Sequence, residues 1–66
     1  MIEKGTVVHW SECGFGFIRP DGEGENVFIH RSDLRGVAYL GVGNRVEFEA
    51  RTVERGRRAD YARVVS

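Results

Sequence analysis

The placement of glycine is the feature that most restricts how this chain can fold. Nine glycines are scattered through its 66 residues and are never adjacent to one another, so they separate short apolar segments as turns separate strands. No apolar pattern with a helical period of roughly 3.6 residues persists over about three turns. The sequence therefore predicts an all-β fold.

Strands and turns can be placed from residue type. Five segments are rich in β-branched and aromatic residues and are bounded by turn-forming residues. The predicted strands are residues 3–10, 14–19, 25–30, 44–54 and 59–65. Residues 20–24, with a proline and two glycines, predict a hairpin loop between the second and third strands. Residues 31–36 predict one helical turn, with Ser32 or Asp33 as its cap and Gly36 as its stop.

The size of the chain favours a closed sheet. Sixty-six residues provide enough material for one domain, which we assign to residues 1–66. A single open sheet of five short strands would leave one face exposed and two edges unpaired. Gly16 lies inside a predicted strand, where glycine commonly marks a tight bend or a close backbone approach. We therefore predict a small five-stranded antiparallel barrel, with a sandwich as the alternative.

The charges balance overall but are unevenly distributed. Ten basic and ten acidic residues give a net charge of zero, which argues against a polycationic nucleic-acid binder. Residues 1–33 carry three basic and six acidic groups, whereas residues 34–66 carry seven and four. The positive end centres on Arg55, Arg57 and Arg58. Such a cluster is most often a solvated loop, and the alternative is a contact with phosphate.

Cysteine and apolar content indicate the compartment. Cys13 is the single cysteine, so no internal disulfide can form, and a reducing environment is expected. The longest apolar run, residues 37–40, is far shorter than the roughly 18 residues that a membrane span needs. Residues 1–4 lack a signal-peptide pattern. We expect a soluble cytoplasmic protein that makes no membrane contact.

No catalytic motif is recognisable. Cys13 could be combined with His9 or His30, but a third group that would orient such a pair is missing. A chain of this size also has little room for a substrate pocket. We therefore expect no enzymatic activity, no small-molecule substrate, no cofactor and no metal.

Aromatic residues collect on one side of the predicted hairpin. Because side chains alternate along a strand, Phe15 and Phe17 share one face of the second strand. In the same way, Phe28 and His30 share one face of the third strand. The aliphatic residues of the opposite faces are Ile18, Val27 and Ile29.

Two arrangements of these faces are possible. Large apolar residues usually form the core, which would place the phenylalanines inside. The interior of a five-stranded barrel is narrow, however, and suits the aliphatic set better. We therefore predict the rings on the outer surface. An exposed cluster of rings with nearby arginines is the composition of a stacking platform for unpaired bases.

Two motifs resemble a known family. Residues 13–18, CGFGFI, resemble the first ribonucleoprotein motif of cold-shock domains, commonly written KGFGFI. Residues 27–30, VFIH, resemble the second motif, VFVH, at the expected spacing. Further similarity covers residues 4–7, 32–34, 40–48 and 62–64. The resemblance implies an OB-type barrel that binds single-stranded RNA or DNA by stacking bases on the motif aromatics, often as an RNA chaperone.

The resemblance also implies roles for individual residues. The positions that match stacking or base-contacting positions of the family are Phe15, Phe17, Phe28 and His30. Counted from Gly5, His9 stands at the family's tryptophan and Trp10 at the phenylalanine that follows it. A shifted gap would instead place Trp10 at the tryptophan. Either alignment leaves one large ring in this region.

Some departures from the family pattern reduce the positive charge. Cys13 stands where the family has a lysine, and Val8 or His9 stands where it has another. The loop that carries the arginine cluster is about two residues longer than in typical members by this alignment. We hypothesise that this loop, which bears Arg55, Arg57 and Arg58, has taken over contacts with phosphate from the missing lysines.

Other departures change the set of rings. Arg31 replaces a common aromatic after the histidine, and Val37 replaces a phenylalanine in the following loop. Tyr39, two positions later, is a candidate to compensate for Val37. The candidate nucleic-acid-binding residues are Trp10, Phe15, Phe17, Phe28, His30, His9, Arg31, Tyr39, Arg57 and Arg58.

A second class of function fits the same surface. A small barrel could use an exposed aromatic patch to dock a partner protein, and the neutral charge and missing lysines favour this alternative. We nevertheless expect the partner to be a single-stranded nucleic acid. Stacking does not itself read the 2′-hydroxyl, so the sequence does not choose between RNA and DNA. We expect the chain to be a monomer.

Overall fold

Five strands and one short helix build the part of the chain that the computed structural model describes, residues 2–22 and 24–65. The strands are β1 (Ile2–Ser11), β2 (Phe15–Pro20), β3 (Val27–His30), β4 (Arg45–Val53) and β5 (Gly56–Val64). A 3₁₀ helix at Arg31–Asp33 follows β3. Within these residues no helix is long and apolar enough to cross a membrane.

The strands close into a barrel in the order β1-β2-β3-β5-β4, with β4 returning to β1. This confirms the predicted all-β, five-stranded OB-type barrel. Four of the strand pairs are antiparallel, whereas β3 and β5 run parallel and meet at Phe28 and Arg58. The parallel contact, which the prediction did not contain, places an arginine of β5 beside a ring of β3.

The core confirms the predicted division of the faces. Ile18, Val27 and Ile29 have no exposed surface, whereas Phe15, Phe17 and Phe28 of the neighbouring positions are half-buried. The arrangement with these phenylalanines inside is therefore wrong. The remaining members of the buried core are Val7, Leu34, Leu40, Val46, Phe48, Ala59 and Ala62.

A β-bulge in β1 decides which side chains face the core. Val7 lies opposite Ile18 and His9 lies opposite Phe17, so Val8 is an extra residue between them. Because strand side chains alternate, one extra residue reverses the face to which each later side chain of the strand points. His9 therefore faces outward beside Phe17, while Trp10 packs against the buried core.

Gly16 lets β1 and β2 approach each other at this point. A Cβ atom on Gly16 would lie 2.8 Å from Cε3 of Trp10 and would also collide with the carbonyl oxygen of His9. The absence of a side chain at position 16 thus accommodates both the indole and the backbone of the neighbouring strand.

The helical turn after β3 is shorter than predicted, and its cap is a different residue. His30 is the N-cap: its Nδ1 accepts a hydrogen bond from the backbone N–H of Ser32 at 3.1 Å. Asp33 completes the cap by accepting from the backbone N–H of His30 at 3.2 Å. The turn ends before Gly36 because Leu34 is extended and forms a parallel bridge with Ala62.

The prediction that the three arginines of the cluster share one loop is also wrong. The β4–β5 connection is a turn of two residues, Glu54 and Arg55, whereas Arg57 and Arg58 belong to β5. Arg57 pairs with Thr52, so the β4–β5 ladder includes this part of the chain. Gly56, at a φ of +130°, provides the left-handed backbone that starts the returning strand.

The β2–β3 connection lies where the hairpin loop is predicted, although β3 begins later, at Val27. Glu23, within the predicted loop, lies outside the described residues, as do Met1 and Ser66 at the ends of the assigned domain. Arg45 donates hydrogen bonds to both carboxylate oxygens of Asp21, which ties this loop to β4. These bonds hold the pKa of the Asp21 carboxyl below its usual range.

This ion pair predicts a specific acid dependence. A carboxyl whose pKa is lowered by folding stabilises the folded state above its unfolded value of about 3.9, and this contribution disappears as the pH falls through the folded value. The parent should therefore be more stable than Asp21→Asn at neutral pH, and the difference should close below about pH 4. Thermal unfolding of both proteins across this range measures it. A difference that persists unchanged into strong acid would contradict the assignment.

Candidate nucleic-acid interface

Four rings from three strands form one surface on the outside of the barrel. Phe15 and Phe28 are nearly parallel, with an interplanar angle of 20° and centroids 6.2 Å apart, and Phe17 meets Phe28 edge-on at 5.9 Å. His9 lies 6.2 Å from both Phe15 and Phe17. We call these four rings, together with His30, the aromatic patch.

The strand register explains why the rings meet. Phe15 lies opposite His30 in the β2–β3 ladder, and Phe17 lies opposite Phe28. Residues directly opposite each other on antiparallel strands point to the same face, so the two motifs contribute to one surface. The bulge adds His9 from β1 to the same face. The three phenylalanines of the patch are half-buried and His9 is exposed, whereas the neighbouring aliphatic side chains Ile18, Val27 and Ile29 point into the core.

The orientation of His30 is set by its role as a cap. Its Nδ1 accepts from the Ser32 backbone N–H and lies 3.0 Å from the Ser32 hydroxyl oxygen. A ring nitrogen that accepts an N–H carries no proton, so neutral His30 holds its proton on Nε2. His30 can therefore offer Nε2–H as a hydrogen-bond donor to a ligand.

Two of the three arginines in the loop predicted to contact phosphate, Arg57 and Arg58, are engaged in ion pairs. Arg57 pairs with Glu3 of β1. Arg58 donates to Oδ2 of Asp33 through Nη2 at 3.1 Å and Nε at 3.2 Å. Their charges are thus largely neutralised within the barrel.

Other cations near the patch are not paired in this way. Within residues 2–22 and 24–65, no ion pair involves Arg19, Arg31 or Arg55. Arg31 runs alongside Gly14 next to the patch, and a Cβ on that glycine would lie 2.8 Å from the Arg31 Cδ. Arg55 lines an open groove of about 630 Å³ that begins at Phe28. Arg31 and Arg55 therefore place positive charges beside the aromatic patch that no ion pair neutralises within the described residues.

The structure leaves two candidate residues apart from the patch. Trp10 is half-buried and packs against the core on the opposite side of β1 from His9. Tyr39 is 73% exposed in the segment before β4, and in the described part of the chain no ring contact joins it to the patch. Binding by these two side chains stays a prediction.

One residue of the site escaped sequence reasoning. Sequence reasoning gives Asp33 only as a candidate cap, yet the residue is 8% exposed and its carboxylate also holds Arg58. The sequence signal was an acidic residue in the turn and an arginine 25 positions later. Only the parallel β3–β5 contact brings the two together.

In the described residues no cluster of His, Cys, Asp and Glu is suited to holding a metal ion.

Comparisons with known proteins place this geometry in a family. The family model described as "'Cold-shock' DNA-binding domain" matches residues 3–65. Cold shock-like protein CspD of Escherichia coli is 39% identical over 97% of this chain and 86% of its own length. Cold shock-like protein CspA of Stigmatella aurantiaca is 41% identical over 97% of this chain and 98% of its own length.

Two further matches belong to longer proteins. Glycine-rich protein 2 of Nicotiana sylvestris is 47% identical over 82% of this chain, which spans only 27% of that protein. The solved structure described as "drosophila Unr CSD456" superposes on the whole chain with a TM-score of 0.83 at 24% identity, and the match covers 27% of that structure. The structural likeness concerns the fold alone. The family match over residues 3–65 and the two bacterial relatives show that this chain belongs to the cold-shock domain family, whose members generally bind nucleic acids and are not enzymes.

Proposed function

We propose that the aromatic patch binds single-stranded RNA or DNA by stacking unpaired bases on its rings. The observation that carries this proposal is the geometry of His9, Phe15, Phe17 and Phe28, whose centroids lie 5.9–6.2 Å from their neighbours on the outside of the barrel. Every base has a flat π-face, so such a surface accepts different sequences.

The energy of stacking is sufficient for useful affinity. Each base stacked on an aromatic side chain contributes about 1–3 kcal/mol. Several stacks could offset the loss of translational and rotational freedom and give micromolar to nanomolar binding. Because only unpaired bases can stack on the patch, binding favours the single strand and therefore opposes RNA secondary structure. We therefore propose a role as an RNA chaperone or regulator of gene expression.

Polar groups at the rim complete the proposed site. His30 would donate its Nε2–H to an acceptor atom of a base, in the orientation that its capping role fixes. Arg31 and Arg55 would contact phosphates, because neither is held by an ion pair in the described residues. Trp10 would support the patch from the core side of β1.

Oligonucleotide titration tests this function. We expect fluorescein-labelled octamers of uridine and of deoxythymidine to bind saturably, as followed by anisotropy at several salt concentrations. Two phosphate contacts predict a slope of about −1.4 when log K is plotted against log salt. The double variant Arg31→Gln/Arg55→Gln should flatten this slope, while the control Val42→Ala, on an exposed loop, should keep it.

The competing function gives a different result. A patch that docks a partner protein would leave both octamers unbound even at low salt, while circular dichroism shows a folded barrel. That outcome would reject nucleic-acid stacking and favour the docking surface.

A further inference from the structure

Asp33 connects two parts of the site through one buried carboxylate. Its Oδ2 accepts from the Arg58 guanidinium at 3.1 and 3.2 Å and from the His30 backbone N–H at 3.2 Å. The residue is only 8% exposed, so the ion pair is protected from water on the carboxylate side. A buried carboxylate with several donors holds its partners in a defined geometry.

Arg58 is also held against a ring of the patch. Its guanidinium carbon lies over the Phe28 ring, 5.7 Å from the centroid. The parallel register of β3 and β5 places the two residues opposite each other. The guanidinium therefore lies over the Phe28 ring, where Asp33 holds it through Nε and Nη2.

This environment changes what Arg58 can offer a ligand. Its charge is neutralised by Asp33, so it has little to gain from a phosphate, and its contribution to counterion release should be small. Its side chain is nevertheless 31% exposed. A flat guanidinium is itself a surface on which bases stack, unlike the compact ammonium group of lysine.

The surroundings of Arg58 leave space for a base. The groove of about 630 Å³ is lined by Phe28, Val53, Arg55 and Arg58 among others, so it continues the patch past the ring that Arg58 overlies. Arg55, at the same groove, has no ion pair in the part of the chain that the structure describes. The groove thus combines a flat neutralised surface with a cation that is available for phosphate.

We propose that the Arg58 guanidinium is a base-stacking surface that extends the aromatic patch, and that Asp33 is the positioning residue that holds it over Phe28. In this arrangement a base stacks on the outer side of Arg58, and the adjoining phosphate meets Arg55. The inference rests on the proposed single-strand binding and adds one stacking position to it.

The test compares Arg58→Lys, Asp33→Asn and the control Arg63→Lys, whose ion pair with Glu47 lies at a different groove. Affinity for labelled octauridine is measured by anisotropy at several salt concentrations. Arg58→Lys keeps the charge but loses the plane, so affinity should fall about fivefold or more with an unchanged salt slope. Asp33→Asn releases the charge of Arg58, so the slope should steepen by about 0.7. Arg63→Lys should bind within about twofold of the parent.

The outcomes separate this inference from the proposed function. If the parent binds and Arg58→Lys binds equally well, the plane of the guanidinium is not used and the stacking surface is rejected. If the parent binds no octamer, single-strand binding fails and the inference fails with it. Circular dichroism and thermal unfolding establish that each variant is folded. Should Asp33→Asn not fold, Arg58→Lys, which retains the ion pair, decides the question alone.

Discussion

Replacing Phe17 with alanine is expected to weaken oligonucleotide binding by about 1–3 kcal/mol while the barrel stays folded. The centroid of the Phe17 ring lies 5.9 Å from that of Phe28 and 6.2 Å from that of His9, so Phe17 neighbours two other rings of the patch. Its ring is half-buried and lies outside the apolar core, so truncation removes stacking area with little loss of packing inside the barrel. Anisotropy titration with labelled octauridine measures the loss.

Phe17→Leu is the matched control for the chemistry of the ring. Leucine keeps an apolar side chain but has no π-face, so its affinity should fall close to that of the alanine variant if stacking is responsible. Affinity restored by leucine would show that apolar area alone is recognised. Unchanged affinity in a folded Phe17→Ala protein would reject the patch as the binding surface.

Gly16→Ala is expected to destabilise the barrel by about 1–3 kcal/mol, as overpacked sites do. The added methyl group would collide with the His9 carbonyl oxygen and lie 2.8 Å from the Trp10 ring. Neither neighbour can move freely, because the backbone of His9 belongs to the β1–β2 ladder and the Trp10 ring packs against the buried core. Urea unfolding followed by Trp10 fluorescence measures the change, since the indole packs beside the altered site.

Gly22→Ala controls for the general effect of replacing glycine. A Cβ at Gly22 would meet no atom within 4 Å. Its stability should therefore equal or slightly exceed that of the parent, because alanine reduces the freedom of the unfolded chain. Equal stability of Gly16→Ala and the parent would mean that β1 and β2 can separate at this point without cost.

Much of the fold could be predicted because its main signals are local. Alternation along residues 14–19 and 25–30 separates rings from aliphatic side chains, and the structure places Ile18 and Ile29 inside. The interior volume of a small barrel then decides which face is buried. Turn residues mark the approximate ends of the strands, although the start of β3 and the end of the β4–β5 connection differ from their predicted positions by two or more residues.

The remaining features depend on contacts between distant residues. Nothing in the local sequence marks Val8 as a bulge, so the faces of His9 and Trp10 could not be assigned. Strand propensity did not extend β5 back to Arg57 and Arg58, because their ladder partners lie on β4. The second role of Asp33 requires the parallel β3–β5 contact, which joins segments far apart in the chain.

The bulge at Val8 divides β1 into two lengths with separate tasks. Ile2–Thr6 closes the barrel against β4, whereas His9–Ser11 pairs with β2 and contributes His9 to the aromatic patch. One extra residue in a strand reverses the face to which all later side chains point. The facing of the second segment is therefore set separately from that of the first. If Val8 entered the β1–β2 ladder, Trp10 would move by one position and its indole would face outward in place of the His9 imidazole. No residue that closes the barrel would need to be replaced.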